Sequence, residues 1–420
     1  MTADGNTIPE IRFAGFTGDW DETPMGKLLS FKNGYNAGKE QYGKGKKFIN
    51  VLDIIENDYI THERIIGQVD IPPKDFDENE VKFGDILFQR SSETREEVGQ
   101  ANVYLDQDKT ATFGGFVIRG RPLSDFDPVF FNAMLKTAKA RKDITSRSGG
   151  STRYNIGQES LEDVLVSIAP TLPEQRKIAD FLTAVDGRIV QLIQKKALLE
   201  DYKKGMMQKL FTQAIRFKDD HGNDFPDWEK KKLGDIVQAN RRITYGIVQP
   251  GAFVEEGVPL VRGMNYSKGW SPLSEIKNVT AEIDKPYKRS KLLAGDVLIT
   301  IVGANTGLVA IVPEWLSGAN ITQTTARIAV DSSKAHPAFV EQILKSRHGR
   351  LEVAKYIKGA AQPGLNLSDL EKFSIPVPNP DEQTKIADFL SAIDRKIESV
   401  ATQITETQTF KRGLLQQMFV

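Results

Sequence analysis

The sequence predicts an α/β (α+β) chain: two similar globular halves and two long coiled-coil helices whose seams face each other or a partner, arranged as a pseudo-two-fold internal repeat. Three observations predict it. The stretch EQRKIADFLTAVDGRI (Glu174 to Ile189) returns as EQTKIADFLSAIDRKI (Glu382 to Ile397), 208 positions later, with eleven of sixteen residues identical. A long repeat at a fixed offset signals internal duplication. Apolar residues in both copies recur by steps of four and three. Between the copies lie short apolar runs punctuated by glycine, the pattern of short strands.

The helices come first because their signal is strongest. From Ile178 the spacing runs through Leu182, Val185, Ile189 and Leu192, then Lys196, Leu199, Lys203, Met206 and Leu210, with eight of ten positions apolar. The second series is Ile386, Leu390, Ile393, Ile397 and Val400, then Ile404, Thr407, Lys411, Leu414 and Met418, again eight of ten. A period near 3.5 residues marks a coiled-coil seam. Pro173 and Asp381 lie near the two starts, and neither stretch has an interior proline. Each helix of roughly 38 residues is about 57 Å long at 1.5 Å per residue. Gly205 and Gly413 are out of place, because interior glycine costs up to about 1 kcal/mol. They suggest a kink or a close helix–helix approach. The predicted boundaries are 1–172 for the first globular half, 173–212 for the first helix, 213–379 for the second half and 380–420 for the second helix.

The halves match from their beginnings. Ile-Arg-Phe stands at 11–13 and 215–217, and Trp20 with Gly26 meets Trp228 with Gly234. In the first half, strands are expected at Phe48–Leu52, Gly84–Arg90 and Gln100–Leu105. A helix is expected over Asp127–Lys142, then a polar loop from Ser146 to Asn155. Leu161–Ala169 leads into the first long helix. The second half repeats this order, with strands at Gly295–Ile299, Ile311–Val312 and Ala326–Val330, and a helix over Pro337–Ile357. Leu370–Pro378 leads into the second long helix. The copies agree in the long helices and diverge in the globular parts. Similar helices suggest one job done twice; different globular parts suggest two targets.

Composition narrows the class. At 420 residues, with 40% hydrophobic residues and mean hydropathy −0.36, the chain exceeds one core. No apolar run spans a bilayer and the polar N-terminus is no signal peptide, so the cytoplasm is expected. There is no cysteine, hence no disulfide or thiolate site, and the four histidines are scattered without ligand spacing. No catalytic motif survives inspection. Gly303–Gly307 lacks the lysine and hydroxyl of a P-loop. Phe113-Gly114-Gly115 lacks the third glycine of a dinucleotide fingerprint. Asp127-Pro128-Val129-Phe130 misses the second proline of the amino-methyltransferase signature. Pro380-Asp381 with Asp394-Arg395-Lys396 imitates a nuclease, but one helix would hold those acids about 20 Å apart. The chain reads as a recogniser.

Several loops offer contacts to a polyanion. In the first half these carry Lys44, Lys46 and Lys47; Arg90, Ser91 and Arg95; and Arg147, Arg153 and Tyr154. In the second they carry Arg241, Arg242 and Tyr245; Arg262, Asn265 and Lys268; and Lys358 and Gln362. Cations engage phosphates with salt-sensitive affinity, and Arg, Asn and Gln read base edges. The loops are expected at matching places in both halves. A plain solvated loop is the alternative for each residue. Lys+Arg equals Asp+Glu at 56 each, which argues mildly against nucleic acid unless charge is locally concentrated or a partner adds it.

The stretch Leu172-Pro173-Glu174-Gln175-Arg176-Lys177-Ile178-Ala179-Asp180-Phe181-Leu182 and its twin at 380–390 resemble the conserved regions of Type I restriction–modification specificity subunits. Phe16-Thr17-Gly18-Asp19-Trp20, the KKGMMQKLF ending of the first helix, Gly84-Asp85-Ile86-Leu87 and Asn366–Leu370 are similar to that family too. The resemblance covers nearly the whole chain. It implies a non-catalytic DNA-binding specificity subunit of a restriction system, with two target recognition domains. Each would read one half of an asymmetric bipartite site in double-stranded DNA. The helices would pack as two long antiparallel coiled-coil helices, act as a spacer and dock modification (methyltransferase) subunits, two of them, with restriction (endonuclease and translocase) subunits joining. S-adenosylmethionine, ATP and Mg are then expected on partner subunits, with no cofactor or metal in this chain and no membrane. Two rivals remain: a self-sufficient DNA methyltransferase or nuclease, and a coiled-coil scaffold that binds only proteins.

Overall fold

Leu172–Phe211 forms one unbroken helix of 40 residues and Pro380–Gln417 another of 38. The computed structural model describes residues 8–359 and 363–420. Two compact units divide the chain. The first runs to Leu192 and adds Thr402–Val420; the second is Ile193–Ala401. Each unit therefore takes part of both long helices.

Within the first unit the two helix segments run antiparallel. Near the start of the first helix, Trp20 reaches both Glu174 and Phe419; further along, Asp186 lies 2.5 Å from Lys411. Ile178, Leu182 and Val185 share a core with Leu414, Met418 and Phe419. The second unit repeats the arrangement with the helices exchanged. Leu210 joins Ile386, Leu390 and Ile393 in its core, and Lys203 lies 2.6 Å from Asp394. The seam positions Ile178, Leu182, Val185, Leu192, Ile386, Leu390, Ile393 and Val400 are buried, while Ile189 and Ile397 are half-buried. The lysines that interrupt both apolar series, Lys203 and Lys411, are thereby explained: each neutralises an aspartate 208 positions from its twin's. Gly205 and Gly413 differ from expectation. The helices continue through both, and a Cβ at either would meet nothing within 4 Å, so neither marks a close approach.

Both units build three matching sheets, and the first adds a pair, Ser91–Ser92 with Tyr154–Asn155. In the first, a four-stranded antiparallel sheet has the order Leu29–Asn33, Val117–Pro122, Ile86–Gln89, Ala101–Val103. In the second, the order is Thr244–Tyr245, Thr325–Ile328, Val297–Thr300, Val309–Ile311. A three-stranded sheet accompanies each, Gln68–Val69, Tyr42–Ile49, Thr112–Phe113 in one and Asn278–Val279, Val258–Val261, Asn320–Ile321 in the other. Both have one antiparallel and one parallel pair. A third, two-stranded ribbon joins the strand after each tryptophan to the strand before each long helix, Asp21–Pro24 with Leu165–Ile168 and Glu229–Lys232 with Ser374–Val377.

Two expectations about helices and one about strands need correction. Asp127–Lys142 is two helices, Pro128–Leu135 and Ala138–Ser146, and Pro337–Ile357 is also two, Pro337–Lys345 and Arg347–Tyr356. Thr137 and Ser346 break them. Each holds extended backbone, and its side chain accepts from an amide of the following turn, Ala140 or His348. That is N-capping, which terminates one helix and begins the next. The strand at Phe48 ends at Ile49, and Val51–Ile55 is a short helix begun by Asn50, whose amide donates to Asp53 at 2.7 Å.

The duplicated Glu-Gln motif fastens each long helix to its sheet unit. Glu174 and Glu382 are about 1% and 0% exposed in the first turns of the helices, where the helix dipole favours an anion. Arg12 grips Glu174 through Nε and a terminal nitrogen at 2.7 and 2.9 Å; Arg216 grips Glu382 at 3.0 and 2.7 Å. The Trp20 and Trp228 indoles donate to the same carboxylates at 3.4 and 3.0 Å. Next in sequence, Gln175 accepts from the Asp127 amide and donates to the Ala169 carbonyl, while Gln383 accepts from the His336 amide and donates to the Pro378 carbonyl. Breaking a buried pair from one side costs about 3–5 kcal/mol because the other charge is stranded. Arg216→Met, which strands the buried Glu382, is therefore expected to destabilise the second unit by that amount, and Arg216→Met with Glu382→Met together by much less. Urea denaturation followed by tryptophan fluorescence checks it; equal losses in both variants would contradict the buried-charge account.

Candidate nucleic-acid interface

Most of the loop cations expected to meet DNA are engaged inside their own unit. Lys44 pairs with Asp70 at 3.0 Å, Lys46 lies over the Phe76 ring and Lys47 donates to the Ile65 carbonyl. Arg90 donates to the Gly115 carbonyl, Ser91 to Asn155, and Arg95 to the carbonyls of Thr145 and Ser146, closing the end of a helix. Arg147 holds Asp143 at 2.9 Å, and Tyr154 packs against the core. In the second unit Arg241 clasps the buried Asp296 at 2.9 and 2.6 Å. Arg262 stacks on Phe253, and its amide donates to the buried Asn265. Lys358 pairs with Asp369 at 2.8 Å; with Lys372 it draws that carboxyl down to about 2. Gln362 lies outside the described residues.

Arg153, Arg242, Tyr245 and Lys268 are left exposed. Sheet order also corrects the expectation of matching loops. Lys44, Lys46 and Lys47 lie on a strand whose counterpart is Val258–Val261, whereas Arg241–Tyr245 leads into the counterpart of Leu29–Asn33. Only the stretches after the paired short helices, at Arg147 and Lys358, correspond.

The Gly-Asp motif proves to be architecture. Gly84 and Gly295 adopt φ of +85° and +84°, the left-handed region open to glycine. Asp85 then accepts from the Lys82 amide and from Arg121, as Asp296 accepts from the Leu293 amide and from Arg241. Each four-stranded sheet also carries a buried arginine, Arg119 and Arg327, 208 positions apart and opposite Leu87 and Leu298. Burial lowers both, Arg327 to about 10. Arg119 donates to the Glu80 carbonyl. Arg327 donates to the carbonyls of Arg241, Arg242 and Arg289 at 3.3, 3.1 and 2.9 Å.

Those bonds draw a loop and a short helix together beside a cleft of about 660 Å³ in the second unit. Its wall contains Arg241, Arg242, Tyr245, Lys288, Arg289 and Lys291. Sequence reasoning found the arginine pair and the tyrosine but missed Lys288, Arg289 and Arg327. The run Lys285-Pro286-Tyr287-Lys288-Arg289 was the available signal.

Against known families, the profile of the Type I restriction modification DNA specificity domain matches residues 18–200 and again 226–408. The chain belongs to that family. The Type I restriction enzyme EcoBI specificity subunit of Escherichia coli is 28% identical over 294 residues, 66% of this chain and 61% of that relative's length. The putative Type I restriction enzyme MjaX specificity subunit of Methanocaldococcus jannaschii is 26% identical over 411 residues, 94% and 92% of the two chains. A solved Type I restriction–modification S subunit from M. genitalium shares the fold, with a TM-score of 0.57 over 98% of this chain and 99% of that one at 16% identity.

The two specificity domains differ in charge. Residues 1–172 carry 21 Lys and Arg against 27 Asp and Glu, while residues 213–379 carry 22 against 18. The neutral total conceals an acidic first domain and a basic second one. Arg327 is the structural half of the basic cleft, and Arg242 belongs to its exposed half. Leaving carbonyls without a donor costs about 1–3 kcal/mol for each that water cannot reach. Arg327→Met is expected to lower the denaturation midpoint of the second unit clearly, and Arg242→Gln to shift stability by no more than about 0.5 kcal/mol. Paired urea titrations check this.

Proposed function

We propose that this chain is the DNA-recognition subunit of a Type I restriction–modification complex. In this reading each specificity domain reads one half of a bipartite site in duplex DNA. The observation that carries it is duplication of frame without duplication of surface. The sheets, the buried Glu-Gln fastening and the Lys–Asp pairs recur, while the side chains presented to solvent beside equivalent strands do not. Two readers built alike and faced differently suit an asymmetric target.

Catalysis is assigned to partners. Methyl transfer from S-adenosylmethionine and ATP- and Mg-dependent cleavage would reside on modification and restriction subunits. Docking those partners would fall to the exposed sides of the long helices, because the seam is consumed within each unit. Tyr202 and Phe410, counterparts 208 apart, are about half exposed there at 51% and 53%, and Leu198 lies one turn before Tyr202, 70% exposed.

Two experiments test the reading. Exchanging residues 20–165 for another recognition domain is expected to change one half of the methylated site and leave the other intact, as read by sequencing methylated DNA. A change in both halves would show that the domains are not independent readers. Both long helices pass from one unit to the other, at Leu192 and at Ala401. Inserting four residues at each crossing adds about 6 Å of helix. The spacer of the methylated site is then expected to lengthen by one or two base pairs, at about 3.4 Å each, with the half-sites unchanged. An unaltered spacer would remove the helices' role in setting it.

A further inference from the structure

The basic cleft of the second domain contains more charge than its fold requires. Among the described residues, six that line it are cationic and none is acidic: Arg241, Arg242, Lys288, Arg289, Lys291 and Arg327. Three of these serve the fold. Arg241 is held by Asp296 and Lys291 by Asp284 at 2.7 Å, while Arg327 ties the surrounding carbonyls. The other three, Arg242, Lys288 and Arg289, are exposed and form no side-chain ion pair or hydrogen bond among the described residues. At the cleft wall, buried Arg327 also keeps an Nε–H with no acceptor. The three unpaired cations repel one another, and an anion from outside would relieve that repulsion.

The first domain repeats the sheet and, at Arg119, the unpaired buried Nε–H, but not the unpaired surface charge. Around Arg119 the neighbouring cations are matched by acids: Arg121 with Asp85 at 2.8 Å, Lys82 with Glu80 at 2.9 Å and Lys32 with Glu78 at 3.5 Å. Another cationic groove in the second unit, beside Lys203, Lys204, Arg347 and Arg350, has Glu200 and Asp394 in its wall. The wall carrying Lys288 and Arg289 is therefore distinguished by free positive charge, while Arg242, at its edge, also lines an adjoining cleft that contains Asp235 and Glu371.

We propose that this cleft is a phosphodiester-binding subsite, through which the second domain grips the DNA backbone, and that the first domain has no equivalent. The proposal rests on the DNA reading above and adds a division of labour. Phosphate contacts fix position without carrying sequence information. The second domain then supplies a large share of the salt-sensitive affinity, and the acidic first domain contributes mainly through base contacts.

The test uses the full chain in complex with its modification subunits and a duplex bearing the methylated site. Binding is measured from about 50 to 200 mM salt, the range over which phosphate contacts are most visible. Removing one phosphate-bound cation is expected to lower the slope of log K against log salt by about 0.9. The triple variant Arg242→Gln, Lys288→Gln, Arg289→Gln should reduce the slope by about two to three units. It should weaken binding to matched and mismatched duplexes by the same factor, and leave the methylated sequence unchanged. The comparison triple in the first domain, Lys44→Gln, Lys82→Gln, Lys109→Gln, removes cations paired with Asp70, Glu80 and Glu63 and should change the slope much less. The single variants Lys288→Gln and Arg289→Gln, each worth about one unit of slope, answer the question if the triple fails to fold. An unchanged slope in the cleft variants, with the unaltered complex still binding DNA, would overturn the subsite and leave the DNA reading standing. So would equal reductions in the two triples. A change confined to one half-site's base preference would make the residues base readers and overturn the phosphate assignment. Absence of DNA binding by the unaltered complex would overturn both.

Discussion

A carboxylate buried at the start of each long helix is the constraint on which the rest of this chain depends. Glu174 and Glu382 cannot be left alone in a dry interior, because an unpaired buried charge is among the costliest local defects. Each is satisfied by an arginine from the lead-in segment and a tryptophan at the head of the sheet unit. One anion thus joins the lead-in and the head of the sheet unit to a helix at least 154 positions away. The adjacent glutamine extends the joint to the start of a flanking helix. Position along the helix pair is set at a second place, where Lys411 meets Asp186 and Lys203 meets Asp394. A slip of either helix by one residue would separate these pairs and turn the apolar seam out of the core.

Such a frame explains which residues stay alike in the two copies and which drift. Helix residues in the repeated motif are held by at least two independent demands, packing on one side and a polar partner on another. Phe181 and Phe389, for example, each meet an aromatic ring of the lead-in segment, Phe13 and Phe217, at 5.7 Å. Loop residues of the globular parts answer to partners inside their own domain, as Arg95, Arg147 and Arg241 do. They are free to differ, and the same sheet order survives with a different set of surface charges.

Legibility in the sequence follows the same division. The long helices, the repeat offset and several of the strands could be read because periodicity and duplication are properties of the chain itself. The breaks at Thr137 and Ser346 could not, since both helices carry an unbroken apolar pattern and only a side chain turned back on the following turn reveals the cap. Candidate contacts were the least legible. Arg95, Arg147 and Arg241 look like free cations in the bare sequence, yet each is spent on a carbonyl or carboxylate that lies 4 to 55 positions away. Lys288 and Arg289 escaped notice because their importance comes from what is missing nearby, and only the folded wall of the cleft shows that, among the described residues, its lining holds no acid.

The near-neutral composition, which weighed against nucleic acid at the outset, loses its force once charge is apportioned. Net charge governs long-range attraction, but contacts within a Debye length of about 8–10 Å see only their own neighbourhood. An acidic domain and a basic one on the same chain can cancel in the sum and remain distinct to a polyanion at either surface. Balance even has a use for a bipartite reader. A chain basic throughout would hold any duplex tightly through its backbone, and sequence reading would decide a smaller share of the outcome. A cleft of unpaired cations in one domain would let the backbone be engaged there, while the net acidity of the other would leave more of its grip to contacts with the bases.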